Sequence, residues 1–352
     1  MSTARLKGIT VTHLAEFDEI IDVRSPTEYR EDHVPGALNL PVLDDAQRAR
    51  VGTLYKQVSA FEAKKVGAAL VSRNVAHHIE TVLQDRPRHW RPLVYCWRGG
   101  QRSAALVHVL REIGWRAEQL EGGYKAYRRQ VLADLERLPG AFRWRVVCGP
   151  TGSGKTRLLK ALARSGAQVL DLEELARHRG SVLGDWPDAS QPSQKMFESR
   201  VWQGLHRLDP SRPVFVEAES KKVGNLRVPE ALIAAMWCAE CVEVQTAWAD
   251  RIALLQNEYR HFLEDRQALY ARLDCLIPLH GHARIEAWKG LAAAGDWPAF
   301  VDALLTAHYD PAYRRSTLQH YPRLPAALRV RIEGTDDEAF DRAARELLER
   351  MT

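Results

Sequence analysis

Two short stretches hold the residue types that could do group-transfer chemistry. In "YCWRGGQRS", residues 95–103, Cys96 precedes a loop containing Gly99-Gly100 that ends on Arg102 and Ser103. Five residues separate Cys96 from Arg102. That spacing lets the N–H groups of residues 97–102 point into a bowl above the sulfur, and a helix opening at Ser103 adds partial positive charge. Both favour the thiolate, which is the nucleophilic form. Arg98 and Arg102 stand where they could neutralise an incoming oxyanion. An inert buried cysteine at a strand end is the plain alternative, but such a turn would not need the glycine pair.

The second stretch is "GPTGSGKT", residues 149–156, which satisfies G-x-x-x-x-G-K-[ST]. It follows an apolar run and precedes a helical one, the context that makes the motif credible. Gly149, Gly152, Ser153, Gly154, Lys155 and Thr156 would form a cradle for a diphosphate. Lys155 would meet its charge, and Thr156 would hold Mg²⁺. A second metal ligand is expected at a strand end, from Glu217 or from Asp171, with Glu217 preferred because "PVFVE" is the more apolar strand. Nothing in the motif specifies a nucleobase, and no tightly bound organic cofactor is implied.

These loops need strands before them and helices behind them. "EIIDVR" (19–24) and "RPLVYC" (91–96) read as strands, "SAALVHVLREIGW" (103–115) as a helix, and "RAEQLEGG" (116–123) as a short strand closed by glycines. "RRQVLADLERLPG" (128–140) reads as a connecting helix stopped by Pro139-Gly140. A second α/β unit opens with "FRWRVVC" (142–148) and continues through strands at 168–173 and 212–220. From about residue 240 the pattern is helical. The expected division is 1–135, with a long basic insert at 45–80, and 136–352.

With 352 residues, 45% hydrophobic and 27% charged, the chain is long enough for two packed cores. The formal charge of +5 permits a polyanionic partner without requiring one. Five cysteines are an odd count for a disulfide scaffold, which points to a reducing compartment and a cytoplasmic location. No signal-peptide core and no 18-residue apolar run is present, so no membrane is expected. Cys238 and Cys241 form one C-x-x-C with no second pair nearby. "LHGH" (279–282) reads more simply as a helix end than as a metal site.

The run "IIDVRSPTEYREDHVPGALNLP" (20–41), followed by "YCWRGGQRS" and "LEGGYKAY", resembles a rhodanese domain. That resemblance implies that Cys96 accepts sulfur or selenium, that Asp22 and Arg24 form a buried structural pair, and that Glu28 and His33 are scaffold. Phosphatases of the same fold share the Cys-x5-Arg loop, and the second domain weighs against that use. The whole chain resembles the tRNA 2-selenouridine synthase family. "VGTLYKQVSAFEAKKVGAALVSRN" (51–74), "HRGSVLG" (178–184), "QKMFESRVW" (194–202), "VEAESKKVGNLRVP" (216–229) and "HYDPAYRRS" (308–316) carry the likeness beyond the two loops.

The resemblance implies an α/β chain: a rhodanese-like parallel-sheet domain, then a P-loop NTPase-like domain with a helical C-terminal extension. It also implies a transferase that geranylates wobble 2-thiouridine in tRNA from geranyl diphosphate and then replaces the geranylthio group with selenium from selenophosphate. A tRNA partner would need basic and aromatic surfaces. Lys56, Lys64, Lys65 and Arg73 in the insert, and Arg260, Tyr309, Tyr313, Arg314 and Arg315 later, are the expected contributors. An ATP-dependent sulfurtransferase, or a small-molecule kinase carrying a non-catalytic rhodanese-like module, are the alternatives.

Overall fold

A computed structural model describes residues 8–351, apart from the side chains of Ser316 and Leu318. The chain divides into two compact units. One runs through Asp134 and includes Ser193–Gln203; the other comprises Leu135–Pro192 and the chain from Gly204 onward.

In the first unit the elements are β1 (Glu19–Asp22), α1 (Pro26–Glu31), β2 (Leu38–Asn39), α2 (Asp45–Gln57), α3 (Ala60–His78), β3 (Pro92–Tyr95), α4 (Gln101–Ile113), β4 (Glu118–Gln119) and α5 (Gly123–Arg137). The four strands are all parallel, in the order β2-β1-β3-β4. β3 lies between β1 and β4, and all four of its residues are buried, as expected for a strand covered on both faces. Its register with β1, Ile20 against Leu93 and Asp22 against Tyr95, brings the ends of both strands to the same edge. α4 buries Leu106, Val107 and Leu110 at helical spacing against this sheet and stops at Gly114 in the left-handed conformation. The insert expected at 45–80 forms a pair of helices, α2 and α3.

Asp22 and Arg24, expected as a buried pair, are 0% and 1% exposed. Arg24 donates from Nη2 to Asp22 Oδ2 at 2.6 Å and to the Asp32 carbonyl at 2.6 Å, and its guanidinium lies 3.9 Å from the Tyr124 ring centroid. Burial opposes the charge, but the Asp22 carboxylate more than restores it, so the guanidinium binds its proton more tightly than a free arginine does. Asp22 also accepts from the Arg24 N–H at 2.9 Å, which fixes the chain as it leaves β1.

The second unit contributes β5 (Arg143–Cys148), α6 (Lys155–Arg164), β6 (Gln168–Leu170) and α7 (Leu172–Ala176). α8 (Gln194–His206) follows, most of it grouped with the first unit. Next come β7 (Pro213–Glu217), a small antiparallel pair β8 (Lys222–Val223) and β9 (Leu226–Arg227), α9 (Glu230–Trp237), β10 (Glu240–Thr246) and α10 (Trp248–Glu258). A helical region follows: α11 (Arg260–Glu264), α12 (Arg266–Asp274), α13 (Ile277–His280), α14 (His282–Ala294), α15 (Trp297–Leu304) and α16 (Asp310–His320). The chain then returns through β11 (Leu328–Ile332) to α17 (Asp337–Glu349).

The second sheet is parallel, in the order β11-β10-β5-β7-β6. Two of its strands, β10 and β11, fall inside the stretch that reads as helical from sequence. β11, "LRVRI", alternates exposed arginine with buried Val330 and Ile332, the pattern of a sheet edge. α6 and α17 cover one face of the sheet with Leu158, Leu162, Phe340 and Leu347. The later helices have a core of their own, which includes Phe262, Leu269, Trp288, Phe300 and Leu304.

Removing one member of a buried ion pair strands the other charge. Asp22→Ala is therefore expected to lower stability in equilibrium urea unfolding by about 3–5 kcal/mol. Asp22→Ala with Arg24→Leu should recover much of that loss. A loss no larger in the single than in the double variant would contradict this role.

Candidate functional site

The first site lies where β3 runs into α4. Cys96 is 3% exposed. Its Sγ accepts from the Gly100 N–H at 3.2 Å and from the Ser103 hydroxyl at 3.1 Å. Burial alone would favour the neutral thiol. Hydrogen bonds from the Ser103 side chain and from the backbone of Ser103, Gly100 and Arg98 outweigh it, so the thiol titrates below its ordinary range. Of the N–H groups at 97–102 read from the sequence, those of Arg98 and Gly100 meet the sulfur, and the Ser103 hydroxyl is a donor that the sequence reading did not assign.

The loop is held from behind by the turn into α5. The N–H groups of Tyr124 and Lys125 donate to the carbonyls of Cys96 and Trp97 at 2.8 and 3.0 Å. This close approach explains Gly123. It has φ +56°, and a Cβ there would lie 2.2 Å from the Cys96 carbonyl oxygen.

The two arginines of the loop part company. Arg102 is committed to Glu28, with Nη1 to Oε2 at 2.8 Å, and so ties α4 to α1. Burial raises the Glu28 carboxyl, but Arg102 and the Ser25 N–H more than offset this and hold it below the usual range. Arg102, expected to steer an incoming anion, thus serves as an anchor. Arg98 is exposed and lines a basic cleft with Lys125 and Arg129, which stand one turn apart on α5. Among the described residues, no acidic side chain lines this cleft. Lys125 and Arg129 were legible only as an i, i+4 pair after the glycine turn. His33, expected as scaffold, stacks on Tyr29 at 3.7 Å and bonds its carbonyl through Nδ1.

The second site lies where β5 runs into α6. Gly152 and Gly154 both have left-handed backbone, φ +78° and +83°. Gly152 also lets α10 pack close, because a Cβ there would lie 2.8 Å from Leu255. Lys155 Nζ donates to the Gly149 carbonyl at 2.9 Å, which folds its ammonium over the loop. Arg251, 5% exposed, donates to the Thr151 carbonyl at 2.7 and 3.0 Å and pairs with Asp310 at 2.6 Å. It braces the loop from α10, a role with no local signature in the sequence.

The carboxylate that Thr156 reaches is Glu173, at 2.7 Å from Oγ1. Glu217 instead accepts the Glu173 N–H through Oε1 at 2.6 Å, and Asp171 caps α7 by accepting the Glu174 N–H at 2.8 Å. Glu217, expected with Asp171 as a ligand of a Thr156-bound ion, thus holds the backbone of Glu173, and Asp171 holds the first turn of α7. Lys155, Thr156, Glu173, Glu219, Glu258 and Arg179 share one pocket.

Burial raises the carboxyls of Glu173, Glu219 and Glu258 above their ordinary values. For Glu219 the nearby Glu173 adds to the shift, while Lys155 works against it at all three. Burial also pushes Asp171 up to about 6. Among the described residues no cluster of three or more His, Cys, Asp or Glu has the spacing of a protein-only metal cage. Mg²⁺ does not ask for one, since it is held by one or two protein oxygens together with phosphates and water. The hard oxygen donors of Thr156 and Glu173 fit it on those terms.

The expected tRNA-facing residues fall into two sets. Lys56, Lys64, Lys65 and Arg73 are exposed on α2 and α3, near the exposed rings of Tyr55 and Phe61. Arg260, Arg314 and Arg315 are exposed as well, with Arg260 3.8 Å from Glu264. Tyr309 and Tyr313 are half-buried and line the Lys155 pocket. "LHGH" ends α13, with Gly281 at φ +78°, and His280 Nε2 lies 3.0 Å from His308 Nδ1.

Residues 10–130 match the family described as "Rhodanese-like domain", and residues 142–274 match "tRNA 2-selenouridine synthase AAA domain". Proteins named tRNA 2-selenouridine synthase align over much of the chain. That of Marinobacter nauticus is 32% identical over 84% of this chain and 87% of its own length. That of Aeromonas salmonicida is 32% identical over 84% and 86%. That of Nitrosomonas europaea is 38% identical over 68% of this chain and 63% of its own. The chain belongs to the tRNA 2-selenouridine synthase family. No helix among the described residues is long and apolar enough to cross a membrane.

Replacing Ser103 removes a hydrogen bond that favours ionisation of the Cys96 sulfur. Ser103→Ala is expected to slow iodoacetamide alkylation of Cys96 at pH 7 by roughly tenfold, with the alkylation profile moved to higher pH. Peptide mass spectrometry across pH 5–10 reads this directly. A profile identical to wild type would show that the hydroxyl does not hold the thiolate.

Proposed function

We propose that this chain converts wobble 2-thiouridine in tRNA to 2-selenouridine in two steps. In the first, the thiocarbonyl sulfur attacks C1 of geranyl diphosphate, the C1–O bond breaks, and diphosphate leaves. In the second, the Cys96 sulfur takes the phosphoryl group of selenophosphate, the hydroselenide released adds at C2 of the base, geranylthiolate departs, and water hydrolyses phosphate from Cys96. Alkylation has a clear purpose in this order. A thiocarbonyl is a poor leaving group, whereas an alkylthiolate can depart.

The observation that carries this reading is the pairing, in one chain of this family, of a cysteine whose ionisation is favoured with a phosphate-type loop. Cys96, whose sulfur accepts from Gly100 and Ser103, shares its loop with Arg98, and the basic cleft of Arg98, Lys125 and Arg129 suits the selenophosphate anion. Lys155 and the amides of residues 152–156 suit the diphosphate, whose departure needs its charge stabilised. Mg²⁺, held by Thr156 and Glu173, would supply Lewis-acid stabilisation of the diphosphate oxygens. The exposed lysines of α2 and α3 offer the long-range attraction that a polyanionic tRNA requires.

The test supplies tRNA bearing 2-thiouridine with geranyl diphosphate and Mg²⁺, then selenophosphate, without ATP, and reads the nucleosides by mass spectrometry. A geranylated nucleoside followed by a selenium-containing one is expected. A product that appears only with ATP, with no geranylated intermediate, would overturn the reading in favour of ATP-dependent transfer.

A further inference from the structure

A second cleft meets the Lys155 pocket and differs from it in chemistry. It is walled by residues of α10, α11, α12 and α15 and of the turn after α15. Phe262, Leu269, Trp297, Phe300, Leu304 and Leu305 dominate its wall, and no charged side chain among the described residues lines it. Thr151, Leu255, Tyr259 and Tyr309 line both this cleft and the Lys155 pocket, so the two are continuous at the phosphate-type loop.

This continuity selects among phosphate-bearing ligands. A nucleoside diphosphate would bring a ribose and a base whose polar edges need partners when buried. The polar groups on this wall are Thr151, Gln256 and the two tyrosines, and the Tyr259 hydroxyl is already 3.2 Å from the Ser181 hydroxyl. A branched hydrocarbon chain asks for no partners and gains from burial. The geometry points to this cleft as the binding site for the isoprenoid chain of an allylic diphosphate, with Phe300 and Leu304 setting the chain length accepted. The inference rests on the function proposed above and assigns that reaction a specificity site.

Three arms test it. Dimethylallyl, geranyl and farnesyl diphosphates are offered together to the full chain with 2-thiouridine tRNA, and the S-alkylated nucleosides are quantified by mass. Leu304→Phe, which narrows the cleft, should shift the C10-to-C5 product ratio toward C5 by roughly tenfold, and Phe300→Leu, which widens it, should shift C10-to-C15 toward C15 by a similar factor. Ile285→Val, in the same core but off the cleft wall, should leave the ratios unchanged. With wild-type protein, and so independent of how the variants fold, geranyl diphosphate should raise the melting temperature more than inorganic diphosphate does at equal concentration.

Unchanged product ratios in both cleft variants, with alkylation intact, would overturn the cleft assignment alone. So would equal thermal shifts from the two diphosphates. Absence of S-alkylation from all three donors with wild-type protein would overturn the proposed function, and the assignment with it.

Discussion

Negative charge at the end of a parallel strand has to be met by donors, and in each unit of this chain they gather where the strand turns into a helix. At Cys96 the charge, when it forms, belongs to the protein: a sulfur 3% exposed whose ionisation a backbone N–H and a hydroxyl favour. Burial by itself would favour the neutral thiol. The architecture of the first unit follows from holding those donors in place. The β1–β3 register aligns the strand ends, the Asp22–Arg24 pair fixes the exit from β1, and Arg102 uses its charge on Glu28 to tie α4 down. Gly123 allows the turn into α5 to press against the loop, and this brings Lys125 and Arg129 beside Arg98.

The Lys155 loop poses the opposite problem. Its pocket holds Glu173, Glu219 and Glu258 against Lys155 and Arg179, and burial makes the three carboxyls reluctant to ionise. A divalent cation favours the ionised form, so binding one would release protons and would strengthen as pH rises through the raised carboxyl range. Glu217, fully buried behind Glu173, positions that carboxylate by accepting its backbone N–H. A pocket that gathers acidic groups around a single lysine suits a diphosphate carried with its cation better than a bare anion.

The two loops were legible in sequence because glycines and a strand-to-helix change mark them locally. The Asp22–Arg24 pair was legible through resemblance, and burial confirms it. What escaped depends on residues brought together only by the fold. Glu173 differs from Asp171 by two positions, and the pattern "LDLEE" cannot say which carboxylate meets Thr156. Arg251 reaches Thr151 from a hundred residues away. β10 and β11 are short strands inside a helical stretch, recognisable only once β5 is there to pair with β10 and β10 with β11. That Tyr309 and Tyr313 line the Lys155 pocket was likewise not legible, because sequence does not report burial. Ser193–Gln203, placed by sequence inside the second α/β unit, groups with the first, and an amphipathic helix does not name the core it serves.

The central claim is that the two loops carry separate halves of one conversion. Nucleoside mass spectrometry of 2-thiouridine tRNA treated with the Cys96→Ala and Lys155→Ala proteins, each given both geranyl diphosphate and selenophosphate, tests it most directly. The account predicts that Cys96→Ala accumulates the geranylated nucleoside and forms no 2-selenouridine, while Lys155→Ala leaves 2-thiouridine largely unalkylated. The reverse pattern, with Cys96→Ala blocking alkylation and Lys155→Ala blocking only selenium entry, would contradict it.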